Sequence, residues 1–254
     1  MYYSQFGEDR LLAEIFHDKA RGQCVEVGAN DGFHGSTSLY FEKLGWNCVL
    51  VEPNPILAVK LRAERSGRVF ECAASDVEGT ATLQLAEGAE LAHALSSISN
   101  DSATKRIVRR HGYATRPVDV ATRPLDAILE EAGATSIDFI TIDVEGHELT
   151  ALRGFSLDRW RPTILIIEDN GLFGDKPVQR HLKSHGFVRF HRTGVNDWYT
   201  HRSNEALAAR GRGWSYAKAL IKGRLFLIRH ASAQQVKKVP GTERLYRRLQ
   251  RLWK

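Results

Sequence analysis

Acidic residues stand where the apolar runs of this chain stop. Cys24-Val25-Glu26-Val27-Gly28-Ala29-Asn30-Asp31-Gly32 sets an acid, two glycines and an Asn-Asp pair at the end of a short apolar segment. Glu52 closes a second run 26 residues later in Val-Leu-Val-Glu-Pro-Asn-Pro, with Asn54 two positions on. Ser75 and Asp76 follow a third run, Asp143, Glu145 and His147 a fourth, and Glu168-Asp169-Asn170 a fifth. Glycine at 28 allows a sharp turn and a close approach of ligand to backbone. An acid inside such a turn repels a pyrophosphate and attracts a cation, which suits S-adenosylmethionine with its ammonium and sulfonium. The spacing is E-x-G-x-N-x-G rather than G-x-G-x-x-G, which argues against a nicotinamide-dependent oxidoreductase.

Each acid then has an expected task. Glu26, Gly28, Asn30, Asp31 and Gly32 surround the cationic donor. Glu52, with Asn54 beside it, accepts from both ribose hydroxyls. Asp76, next to Ser75, accepts from the adenine amino group, and Asp143 closes the cofactor site. A hydroxyl acceptor needs a base or a metal to become nucleophilic. His147 is the candidate base, in a catalytic group with Asp143 and Glu145. The second route is Mg²⁺ on the hard oxygens of Asp143, Asp169 and Asn170, with Glu168 as a substitute for Asp169. A third reading is an acidic pocket that only hydrogen-bonds substrate hydroxyls. Val144-Glu145-Gly146 stands where amino-directed nucleic-acid methyltransferases carry an Asn/Asp-Pro-Pro-aromatic motif, so a DNA or RNA base is not the expected acceptor.

Elements of the right kind are predicted to hold these residues. Strand-like runs fall near 23–27, 48–52, 68–74, 137–142, 163–168, 186–191 and 196–200, and helical patterns near 36–45, 55–65, 124–132, 146–153 and 177–185. The alternation predicts a doubly wound, mostly parallel sheet, with ligands beyond the carboxyl ends of its strands. Residues 79–85 read as a hairpin or edge strand, and the polar stretch 87–116 as a loop or lid.

The segments Tyr-Ser-Gln-Phe-Gly-Glu-Asp (3–9), Val-Glu-Val-Gly-Ala-Asn-Asp-Gly, Val-Glu-Pro-Asn-Pro, Ala-Ala-Ser-Asp-Val-Glu-Gly-Thr and Ile-Asp-Val-Glu-Gly-His-Glu resemble the FkbM family of S-adenosylmethionine-dependent O-methyltransferases. The resemblance implies a class I methyltransferase (Rossmann-like) fold with a seven-stranded sheet whose last strand is antiparallel. It implies methyl transfer to a hydroxyl of a sugar, oligosaccharide or glycolipid, or of a non-sugar secondary metabolite. It also implies that Gln5 and its neighbours close over the cofactor. The Asp143, Asp169-Asn170 set is similar to that of metal-dependent catechol O-methyltransferases.

Charge divides the chain in two. From His201 to Lys254 there are 14 Lys/Arg and 2 Asp/Glu, a net +12, and the first 200 residues carry 28 acidic against 22 basic residues, a net −6. A methyltransferase domain over 1–200 and a basic, partly helical extension over 201–254 are expected. Leu245, Leu249 and Leu252, interleaved with Arg244, Arg247, Arg248 and Arg251, read as a basic amphipathic helix for a membrane surface, its own domain or a second subunit. Without an apolar run of 18 residues or a signal-peptide pattern, the expectation is cytoplasmic, with peripheral contact at the inner face of the membrane through the tail. Cys24, Cys48 and Cys72, odd in number and without CxxC spacing, read as buried small hydrophobes.

Overall fold

The computed structural model describes residues 1–87, 114–170, 176–213, 216–223 and 225–226. Its elements, in chain order, are α1 (Glu8–Ile15), β1 (Gln23–Val27), α2 (Leu39–Lys43), β2 (Asn47–Val51), α3 (Pro55–Glu64), β3 (Arg68–Phe70), β4 (Ala73–Ser75), β5 (Gly79–Glu87), β6 (Ala114–Pro124), α4 (Leu125–Glu131), β7 (Phe139–Ile142), α5 (Glu148–Arg153), α6 (Leu157–Trp160), β8 (Ile164–Glu168), α7 (Pro177–Ser184), β9 (Phe187–Thr193), β10 (Asn196–His201) and α8 (Glu205–Arg210).

Seven strands form one sheet in the order β3-β2-β1-β7-β8-β10-β9. The pairs among β3, β2, β1, β7 and β8 are parallel, and β10 runs antiparallel to both β8 and β9. This is the predicted class I methyltransferase sheet. Strand order reverses between β1 and β7, and the crevice beyond their carboxyl ends is the ligand position of such sheets.

Side-chain alternation explains the layers. Val25, Val27, Val49, Val51, Ile140, Ile142, Leu165 and Ile167 pack on one face with Leu125, Leu152 and Leu182. Cys24, Cys48, Leu50, Phe139, Ile164 and Ile166 pack on the other with Leu12, Phe41 and Leu207. The three cysteines are free and buried. Local chemistry starts α3 where expected. Asn54 caps α3 by accepting from the Ile56 N–H at 3.0 Å, with Pro55 in the first turn.

Three sequence expectations change. The run read as one strand over 68–74 is two, and β4 leaves the main sheet to join β6 and β5 in a separate three-stranded sheet. The first is short because Phe70 already reaches the end of its pairing with Val51. β6 pairs over nine residues with β5, so the stretch read as a loop to 116 ends in a strand at Ala114. Pro117 and Pro124 hid that strand, because proline demotes a strand reading. The remainder of the expected lid, 88–113, lies outside the described residues. Finally, the boundary expected at 200/201 falls inside packed structure. Leu207 of α8 is buried in the same core as Phe190 and Trp198.

Candidate active site

The turn after β1 is stitched to β2. Gly28 N–H and Ala29 N–H both donate to Val51 O, at 2.9 and 3.1 Å. On the other side Asp143 N–H donates to Val27 O at 3.0 Å, so the three strand ends meet at the switch point. Gly28 has φ 84, and a Cβ there would stand 1.8 Å from the Asp143 carbonyl oxygen. No residue with a side chain fits. Gly32 has φ 74, and Asn30 holds φ 52, a left-handed conformation that asparagine tolerates better than most residues.

The acids of this half are already bonded to the protein. Glu26 is buried and accepts from Thr37 N–H (2.7 Å), Ser36 Oγ (2.8 Å) and Ser38 Oγ (2.5 Å), with Arg65 Nη1 at 4.0 Å. These bonds tie it to the 36–38 turn. The reason is strand parity. Glu26 lies on the same face as Cys24, under α2. Asp31 is likewise spent on its own turn, accepting from Phe33 and His34 N–H at 2.9 Å. Glu52 joins the two turns, accepting from Asn30 N–H (2.8 Å) and Asn54 N–H (2.9 Å). Burial pushes its carboxyl up to about 7 against those two bonds. Each of its oxygens can take a second donor. Beside it, the Asn54 Nδ2 is buried without a hydrogen-bond partner among the described residues. An unsatisfied donor and an under-satisfied acceptor side by side match the chemistry of ribose hydroxyls.

Across the crevice the acids face one another. Carboxylate oxygens of Asp143, Glu145 and Glu168 lie within 4.8 Å of each other. Asp143 is solvent-exposed yet enclosed by protein on its other sides, as at the floor of an open cleft. Enclosure, then the Glu148 charge, lift it to about 6, and a hydrogen bond from Glu168 restrains the rise. Burial and Asp143 lift Glu145 to about 8, and burial with the same neighbours lifts Glu168 well above the carboxylate range. Such a floor stabilises a cationic group placed on it. The donor set of S-adenosylmethionine therefore fits these strand ends.

The metal expectation is rearranged. Asp169 is held by Lys176 Nζ at 2.7 Å from both its oxygens, and the Asn170 side chain hydrogen-bonds Glu168. The convergent oxygens belong to Asp143, Glu145 and Glu168. Hard oxygens at this separation fit a divalent cation as well as an organic one. Glu145 sits at φ 51 in the turn that makes this convergence, a backbone signal that the sequence does not carry.

His147 stands at the start of α5, where its side chain makes no capping bond. Burial holds its imidazole below the ordinary histidine range, opposed by the charge of Asp76. Asp76 follows β4, is exposed and accepts from Ser75 Oγ at 3.3 Å. The structure thus pairs Asp76 with His147 electrostatically. Gln5 is exposed in a segment that bridges to the β1 turn through Ser4 and Gly35. Two residues that sequence reasoning left without a role secure that segment. Glu8 accepts from Phe6 N–H, Thr193 Oγ1 and Asn196 Nδ2, and Asp9 accepts from Tyr3 and Ser4 N–H. Two acids directly after a glycine, ahead of an apolar helix, were the available signal.

The methyltransferase FkbM domain model matches residues 26–190. The 2-O-methyltransferase NoeI of Sinorhizobium fredii is 30% identical over 141 residues, 51% of this chain and 56% of that protein. The chain thus spans about half the length of the curated relative it matches. The crystal structure of a TehB-like SAM-dependent methyltransferase from Corynebacterium glutamicum superposes with a TM-score of 0.39 at 12% identity, covering 78% of this chain and 89% of that one. That superposition is too loose to bear on function.

Proposed function

The chain belongs to the FkbM methyltransferase family, and on that premise we propose that it methylates a hydroxyl oxygen at the expense of S-adenosylmethionine. The observation that carries the proposal is the pairing, at one switch point, of a glycine turn with an under-satisfied Glu52–Asn54 pair and an acidic floor at Asp143, Glu145 and Glu168. When bound, the cofactor supplies an electrophilic methyl group. Glu52 and Asn54 would hold its hydroxyls, and the Asp143 side of the crevice its cationic part.

The residues around the acceptor have separate tasks. His147, held neutral by burial, offers an unprotonated ring nitrogen to the acceptor hydroxyl proton, and Asp76 stabilises the imidazolium that results. Transfer to oxygen is supported by the 2-O-methyltransferase name of the relative. A sugar, oligosaccharide or glycolipid acceptor is supported by the family resemblance and by an open acidic cleft, which hydrogen-bonds a polyol better than a flat aromatic. A second reading adds Mg²⁺ at Asp143, Glu145 and Glu168, where it would lower the pKa of a bound hydroxyl.

Glycan and lipid extracts incubated with enzyme and methyl-labelled cofactor, followed by mass spectrometry, test the reaction. A labelled methyl ether is expected, absent with Gly28→Val. Calorimetric heat with NAD but none with S-adenosylmethionine would overturn the proposal. Full turnover after dialysis against EDTA would remove the magnesium reading alone.

A further inference from the structure

We infer that the outward stripe of the C-terminal helical segment docks on an anionic lipid surface. Residues 216–223 are helical, and 225 and 226 are helical as well. One face is packed. Arg189 Nε donates to the Tyr216 hydroxyl at 2.9 Å, a Cβ at Gly223 would stand 2.5 Å from Arg192 Nε, and the Phe226 ring meets Phe6 edge-on at 5.2 Å. The other face presents Lys218, Ile221, Lys222 and Leu225 at helical spacing, all exposed. Ile221 is 52% and Leu225 43% exposed.

A helix with one face already buried has no internal use for two branched aliphatics on the opposite face. Lysines beside aliphatics make the stripe of an interfacial helix, whose apolar side chains enter the headgroup boundary while the ammonium groups stay wet. Charge selects the occupant. The segment from His201 to Lys254 carries +12, and the body carries −6. An anionic leaflet attracts the first and repels the second, so the molecule approaches tail-first. No helix among the described residues is long and apolar enough to cross a membrane, so the contact is peripheral. The inference is independent of the proposed methyl transfer.

Sedimentation of the full chain with vesicles tests it. Vesicles of phosphatidylcholine and phosphatidylglycerol in equal parts should carry the protein down, and phosphatidylcholine alone should not. Salt should release it. Lys218→Gln/Lys222→Gln should weaken the partition about thirty-fold, the combined effect of two cations at the surface. Ile221→Glu/Leu225→Glu should abolish it while leaving the melting midpoint and cofactor binding unchanged, since both side chains face solvent. Should that variant fail to fold, the lysine variant decides. Equal binding to neutral vesicles, or undiminished binding by either variant, would overturn the inference. So would a wild-type dimer in the ultracentrifuge that Ile221→Glu/Leu225→Glu converts to monomer, which would assign the stripe to a second copy.

Discussion

The two sides of the switch point use carboxylates in opposite ways. At the ends of β1 and β2, Glu26 and Glu52 accept hydrogen bonds from the chain itself, three to the first and two to the second. At the ends of β7 and β8, Asp143, Glu145 and Glu168 crowd together, and burial, then the charge of nearby carboxylates, raises the pKa of each, while a hydrogen bond from Glu168 restrains Asp143. An acid satisfied by its own backbone is architecture. Acids that repel each other hold energy that an incoming cation releases. Stability should therefore depend chiefly on Glu26 and chemistry on the second set, with Glu52 keeping room on its oxygens for a ligand as well.

The largest effect should come from the chemical side. His147→Ala is expected to lose about 10²- to 10⁴-fold in turnover with an unchanged melting midpoint. Because the imidazole pKa is lowered, it stays neutral further into acid. The acid limb of kcat/KM should fall below the ordinary histidine pKa of about 6.5 and vanish in the variant. Asp143→Asn should cost about 10²- to 10³-fold in turnover, the scale of removing one aligned electrostatic contact, without loss of stability. An Asp143→Asn protein that unfolds would break the comparison.

Glu26→Ala should reverse that pattern. It strands the Ser36 and Ser38 hydroxyl protons and the Thr37 N–H in a buried site, costing about 3 kcal/mol in urea denaturation. Cofactor affinity measured on the folded fraction should change little. Direct loss of binding with full stability would assign Glu26 to the cationic donor.

The smallest effect sharpens the other side. Glu145 has its folded pKa raised from 4.5 to about 8. Between those values the folded protein keeps a proton that the unfolded chain has released, so stability falls as pH rises through this window. Glu145→Gln should remove part of that slope. At pH 8 it should melt about 2–4 °C above wild type, for about 1 kcal/mol of relieved repulsion, and match it near pH 4.5.

Much of the scaffold was legible. The strand at 23–27 was placed to the residue, and β7 and β8 were recognisable as near-continuous β-branched runs buried on both faces. The helix expected near 55–65 is α3, and Asn54-Pro55 supplies its cap. β6 was not legible, since its prolines contradict a strand unless a partner is known, and that partner is β5. The expected amphipathic helix over 242–253 lies outside the described residues.

Sequence by itself determined the periodicities, the glycine at 28 and the presence of an acid at each strand end, because propensity and turn chemistry act over a few residues. Tertiary structure alone decided which acids bond to their own turns and which crowd together in the cleft. Glu26 and Asp143 look alike as letters at strand ends, and they differ because one lies under the 36–38 turn and the other beside Glu168. A carboxylate's function is set by the donors and charges within a few ångströms, and those come from parts of the chain that only folding brings together.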